Sequence, residues 1–159
     1  MEKYYLAYGS NLNLPQMEAR CPGAKALGTS ALEGWRLVFR GRGSGNYLTV
    51  QPAPGHTVPA VVWAITEEDE RALDDYEDYP AFYYKASLPV LCQGLGTGET
   101  YTQEVFVYIM REGFPAGPPS PEYLAACLEG YRAFGFDQGL LREACAYSQE
   151  PDRTGQEEA

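Results

Sequence analysis

The segment Lys3-Tyr4-Tyr5-Leu6-Ala7-Tyr8, running into Gly9-Ser10-Asn11-Leu12, constrains the fold more than any other stretch of the chain. Successive side chains of a strand point to opposite faces. Tyr4, Leu6 and Tyr8 therefore share one face and Tyr5 and Ala7 the other. Apolar or aromatic groups on both faces predict a strand that is covered on both sides. Gly9 permits backbone conformations that a β-carbon obstructs, and Ser10 and Asn11 favour local side-chain-to-backbone hydrogen bonds, so the strand ends in a tight turn. Two readings of that turn stand side by side. It is a polar turn closing a core strand, or its successive N–H groups form a nest for a carboxylate or a developing oxyanion.

Further along, Asn13 to Arg20 reads as a short helix stopped by Cys21-Pro22-Gly23. Lys25 to Arg40 reads as one or two strands broken near Glu33-Gly34, and Tyr47 to Gln51 and Val58 to Ile65 as two more. Thr66 is a helix N-cap with three acids behind it, which suits the positive end of a helix dipole. Phe82 to Leu91 and Thr100 to Met110 pair across a glycine-rich hairpin turn. Ser120 caps a helix with Pro121 at its first position, giving helices over Glu122 to Ala133 and Asp137 to Tyr147. The polar segment 149–159 reads as a flexible tail. Strands dominate the first two-thirds without regular βαβ alternation. That pattern predicts one α+β domain over residues 1–159, with a mixed, curled or barrel-like sheet and peripheral helices.

Composition narrows the function. A formal charge of −10 offers no basic patch to displace counterions from phosphates, and it disfavours an anionic membrane surface. Neither nucleic acid nor membrane is an expected partner. No apolar run approaches membrane-spanning length and no signal peptide is visible, so a cytoplasmic location is expected. The cysteines, at 21, 92, 127 and 145, have no Cys-x-x-Cys spacing and read as reduced thiols. His56 is the only histidine. A histidine-rich metal site is thereby excluded, and any Ser-His or Cys-His relay would rest on a residue that reads as a solvated loop histidine. The glycine-rich stretch 41–45 matches neither a dinucleotide fingerprint nor a nucleophile elbow.

Helical geometry separates the acids between Glu67 and Asp78. With Leu73 pointing inward, Asp74, Asp75 and Asp78 lie about 100°, 160° and 140° away, whereas Glu70 lies about 60° and Glu77 about 40° away. Glu77 alone combines that inward lean with a place at the helix C-terminus. The dipole's negative end, nearby acids and partial burial would each raise its pKa and let it exchange protons near neutral pH. The structural reading beside this is a helix-end glutamate that caps the helix or pairs with Lys85.

Four segments in order carry a family resemblance. Tyr8-Gly9-Ser10-Asn11-Leu12 after an apolar strand, Val61-Val62-Trp63 with Leu73-Asp74-Asp75-Tyr76-Glu77, Gly117-Pro118-Pro119-Ser120-Pro121-Glu122-Tyr123, and Glu150-Pro151-Asp152-Arg153-Thr154-Gly155 together resemble the gamma-glutamylcyclotransferase family. The resemblance implies a small mixed closed β-barrel flanked by helices. It implies Glu77 as catalytic acid/base, with substrate bound by Tyr8, Gly9, Ser10, Asn11, Leu12, Tyr83, Tyr108 and Tyr123. It also implies cyclisation of a small-molecule γ-glutamyl substrate to 5-oxoproline in glutathione metabolism, by a monomer or homodimer, with no cofactor and no metal. Tyr-Gly-Ser-Asn-Leu resembles the branch acting on γ-glutamyl amino acids, whereas a γ-glutamylamine branch tends to read Tyr-Gly-Thr-Leu. A γ-glutamylamine enzyme and a non-catalytic metabolite-binding domain of the same fold are the rival readings. Around Glu77 this chain reads Tyr76-Glu77-Asp78, whereas relatives often have Gln-Glu-Gly, a departure that bears on pocket shape and leaving group.

Overall fold

The computed structural model describes residues 3–43 and 45–150. Five strands, β1 (Lys3–Ala7), β2 (Lys25–Gly41), β3 (Asn46–Ile65), β4 (Tyr83–Gly94) and β5 (Thr100–Met110), form a closed barrel in the order β1-β3-β2-β4-β5. Four helices accompany it: α1 (Leu14–Arg20), α2 (Glu67–Glu77), α3 (Pro121–Ala133) and α4 (Gly139–Ser148). The sequence predicts this α+β barrel class, and the structure has it.

The opening strand holds the barrel shut. β1 runs antiparallel to β3, with Tyr5 opposite Trp63 and Leu6 opposite Val62, and parallel to β5, with Tyr5 opposite Phe106. Leu6, Ala7 and Tyr8 are buried, as the two-faced apolar pattern requires. A leucine buried as fully as Leu6 contributes about 1.5–3 kcal/mol to folding. On the other side, β2 and β4 pair only through Gly28 with Gly94 and Thr29 with Gln93. A β-carbon at Gly28 would stand 2.2 Å from the Gln93 carbonyl oxygen, so glycine is what lets the two strands meet there.

Two strand predictions need correction. Residues 25–41 form one strand, kinked rather than broken, because Gly34 takes φ 84° in a bulge. β3 likewise continues from Asn46 to Ile65 instead of stopping at Pro52. Ala53, Pro54, Gly55 and His56 stand opposite Gly34 alone, between the Trp35–Pro52 and Glu33–Thr57 pairs. His56 is therefore an exposed strand residue in an irregular stretch, not a loop residue.

The helices position the turn and the acid. Thr66 and Asp69 form a reciprocal capping box at the start of α2, which satisfies two backbone donors there. The helix ends at Glu77 because Asp78 turns left-handed, with φ 52°. α3, capped by Ser120 with Pro121 at its first position, lies flush on the turn after β1. A β-carbon at Gly130 would come 2.5 Å from the Leu12 backbone, so this contact requires glycine. Tyr131, next in α3, donates its hydroxyl to the Tyr8 carbonyl at 2.9 Å and fixes the end of β1. The tail call falls on 149–159; of these only 149 and 150 are among the described residues.

Candidate active site

Two connected pockets meet at Glu77. The inner one, about 30 Å³, is lined by Gly9, Ser10 and Asn11, by Tyr5, Tyr8, Tyr83, Tyr108 and Tyr123, and by Leu6, Leu48 and Glu77. An outer vestibule of about 150 Å³ shares Glu77, Tyr83 and Tyr123 with it and adds Arg42, Tyr47, Tyr76, Asp78 and Phe82. A single water needs roughly 10–15 Å³ on this scale, so the inner pocket takes a group about the size of a carboxylate. A longer ligand would run past Glu77 into the vestibule.

Glu77 is half-buried, and its carboxylate makes no hydrogen bond or ion pair among the described residues. Lys85, offered by the sequence as its partner, instead binds Glu70 at 2.6 Å and Asp74 at 2.9 Å. Burial pushes the Glu77 carboxyl up to about 8, and the charge of nearby Arg20 only partly opposes it. Of the three causes the sequence offers, burial is the one that acts here, and the neighbouring acids are not among the causes. Those acids are engaged elsewhere: Asp74 accepts from Tyr108 at 2.6 Å and pairs with Lys85, and Asp78 pairs with Arg42. Glu70 is the contrasting case. Burial pushes it up, but hydrogen bonds from Lys3 and Lys85 outweigh that and the net shift is downward. It lies outside both pockets.

The remaining wall is held by its own hydrogen bonds. Tyr8 donates to the Tyr108 carbonyl and Tyr83 to the Leu48 carbonyl, each at 2.7 Å, while the Leu48 N–H donates to the Tyr123 hydroxyl at 3.1 Å. Burial drives the phenols of Tyr5, Tyr83 and Tyr123 well above their ordinary range, so they remain neutral hydroxyls. In the turn, Ser10 to Leu12 form a single 3-10 turn whose first internal bond runs from the Leu12 N–H to the Gly9 carbonyl. The N–H groups of Ser10 and Asn11 precede that bond and lie beside the inner pocket. The side chains are fixed too. Ser10 meets the Tyr76 hydroxyl at 2.8 Å, and Asn11 accepts from Arg20 and donates to the Tyr5 hydroxyl at 2.9 Å.

Of the nine residues that the sequence nominates, eight line the inner pocket. Leu12 does not: the 3-10 turn points it into the core, fully buried under α3. Gly9 has φ −126° and ψ −129°, outside the ordinary helical and strand regions, and a β-carbon there would make ordinary contacts of 3.4–3.5 Å with Leu48 and Tyr123. Sequence reasoning missed Tyr5 and Leu48 in the inner pocket and Arg42, Tyr47 and Phe82 in the vestibule. Tyr5 was visible as an aromatic beside the turn, but no spacing singles out Arg42.

In this closed five-stranded barrel, one unpaired carboxylate of raised pKa lines both pockets, an arrangement able to exchange a proton with a small molecule near neutral pH. The family described as "Gamma-glutamyl cyclotransferase, AIG2-like" matches residues 5–138, and the chain belongs to it. A Mus musculus gamma-glutamylcyclotransferase is 28% identical over 141 residues, covering 84% of this chain and 72% of the relative. The Homo sapiens gamma-glutamylcyclotransferase is 29% identical over 126 residues, covering 75% of this chain and 64% of the relative. A solved structure of a "Gamma-glutamyl cyclotransferase" superposes with a TM-score of 0.75 at 24% identity, covering 91% of this chain and 86% of that one, which shows the shared fold.

Proposed function

We propose that this protein is a cofactor-independent gamma-glutamylcyclotransferase that converts a γ-glutamyl amino acid to 5-oxoproline and a free amino acid. The observation that carries the reading is the unpaired Glu77 carboxylate, with its pKa near 8, at the junction of a carboxylate-sized inner pocket and a wider vestibule. The substrate's α-carboxylate sits in the inner pocket against the N–H groups of Gly9, Ser10 and Asn11. Tyr8, Tyr83, Tyr108 and Tyr123 wall in its side chain. Its γ-amide then lies beside Glu77, and its leaving group occupies the vestibule.

Glu77 takes a proton from the α-ammonium, and the freed amine attacks the γ-carbonyl carbon. The bond from that carbon to the departing nitrogen breaks as Glu77 returns the proton to that nitrogen, and the attacking nitrogen gives up its second proton through solvent to the released amine, leaving a lactam N–H and an ammonium. A carboxyl tuned near neutrality serves both halves of this exchange. Nucleophile and electrophile share one molecule, so the protein has only to hold the attack geometry and move one proton. Asn11 supports a further role. With its carbonyl turned to Arg20 and its amide to Tyr5, the Tyr5 hydroxyl accepts one hydrogen bond and keeps its own proton for the developing oxyanion.

Four free cysteines, three of them buried, suit a reducing compartment, and on that ground we assign the activity to the cytoplasm. No helix among the described residues is long and apolar enough to cross a membrane. The direct test is Glu77→Gln, which preserves volume and removes the proton acceptor. Turnover of γ-glutamyl-alanine should fall ~10²–10⁴-fold while calorimetric binding persists. Near-wild-type turnover by this variant would remove Glu77 from the mechanism.

A further inference from the structure

Arg42 is the one cation among the described residues that line the inner pocket and the vestibule. It reaches the vestibule from the loop between β2 and β3. Its guanidinium lies 4.0 Å over the Phe82 ring, and Nη1 donates to Asp78 Oδ2 at 2.6 Å. Stacking fixes the plane of the fork, and Asp78 fixes one edge. The other N–H groups of Arg42 make no further hydrogen bond among the described residues. Asp78 directly follows Glu77, so Arg42 is tethered beside the group that must reach the departing nitrogen. An ion pair as exposed as this one contributes little to stability, which leaves room for a chemical role of the fork in the vestibule.

The chemistry of the leaving group supplies one. When the leaving group is an amino acid, its carboxylate carbon lies two bonds from the departing nitrogen. With that nitrogen at Glu77, the carboxylate falls in the vestibule, where a planar guanidinium matches it with two parallel N–H donors. A γ-glutamylamine has no carboxylate at that distance from the departing nitrogen. We propose that Arg42 reads the α-carboxylate of the leaving amino acid and thereby selects γ-glutamyl amino acids over γ-glutamylamines. This rests on the cyclotransferase reading. It also gives Asp78 a purpose as the anchor of Arg42.

The test compares γ-glutamyl-alanine with γ-glutamyl-alaninamide, which keeps the shape of the leaving group and removes its charge. Wild type should favour the free acid about 10- to 100-fold in kcat/KM, the range of a charge-assisted hydrogen bond. Arg42→Met should lose about that factor on the acid and stay within about twofold on the amide, and Arg42→Lys should recover part of the loss. Equal losses on both substrates, or no loss on the acid, would overturn the proposal. Continued release of 5-oxoproline from the amide by all three proteins would show the cyclisation intact even as the carboxylate reading failed. If wild type released 5-oxoproline from neither substrate, the cyclotransferase reading itself would fall, and the role of Arg42 with it.

Discussion

Glu77→Gln should stabilise the protein at neutral pH even as it stops turnover. A glutamate in the unfolded chain titrates near 4.5, and Glu77 in the fold near 8. Between those values the folded state keeps a proton that the unfolded state has released, so stability falls as pH rises through that window. At about 1.4 kcal/mol per pH unit, the penalty reaches about 3 kcal/mol at pH 7. Water reaching the carboxylate through the pocket openings screens part of it and leaves about 1–3 kcal/mol. Glutamine carries no charge to bury and escapes this cost. For a chain of this size each kcal/mol moves Tm by about 2–4 °C. Thermal melts followed by circular dichroism should therefore coincide for the two proteins at pH 4 and diverge steadily up to pH 8, with the variant melting higher. The same titration governs rate, because only ionised Glu77 accepts a proton: kcat/KM of wild type should climb through about pH 8. Melting temperatures that stay equal at every pH would refute the burial argument, since a carboxylate with an ordinary pKa imposes no such cost.

Two substitutions in the turn after β1 test how the substrate's anionic end is held. Ser10→Ala removes the bond to Tyr76 but keeps every backbone donor, so the KM for γ-glutamyl-alanine should rise only severalfold, about the effect of one neutral hydrogen bond. Gly9→Val should abolish binding in calorimetry. One β-carbon fits at 3.4 Å from Leu48, but two more methyls would enter the inner pocket. Similar effects from the two substitutions would count against backbone recognition.

What the sequence made legible was whatever depends on local pattern. Alternation gave β1 its two covered faces, Thr66 and Ser120 marked helix starts by their capping chemistry, and a 100° helical step singled out Glu77 from its acidic neighbours. Tyr83, Tyr108 and Tyr123 came from the family resemblance, and the barrel brings them to one pocket. The misses share a different cause. Proline and glycine at 52–55 read as a loop, yet β3 absorbs them because Gly34 bulges opposite. Leu12 follows Asn11 directly, but a 3-10 turn sends it to the core, a direction that predicting a tight turn there does not specify. Lys85 meets Glu70 and Asp74 rather than Glu77, a placement that only the closed sheet decides. Arg42 belongs to the same class. Its meeting with Phe82 and Asp78 joins residues far apart in the sequence and leaves no periodic trace.

Oxygen-18 water decides the central claim most directly. In cyclisation the substrate's own amine displaces the leaving group, so water contributes no atom to either product. Incubating the protein with γ-glutamyl-alanine in labelled water and analysing the products by mass spectrometry should give 5-oxoproline and alanine, both free of enzyme-introduced label. Glutamate carrying one oxygen-18 in its γ-carboxylate would contradict the account, because water rather than the α-amine would then be the nucleophile that Glu77 activates.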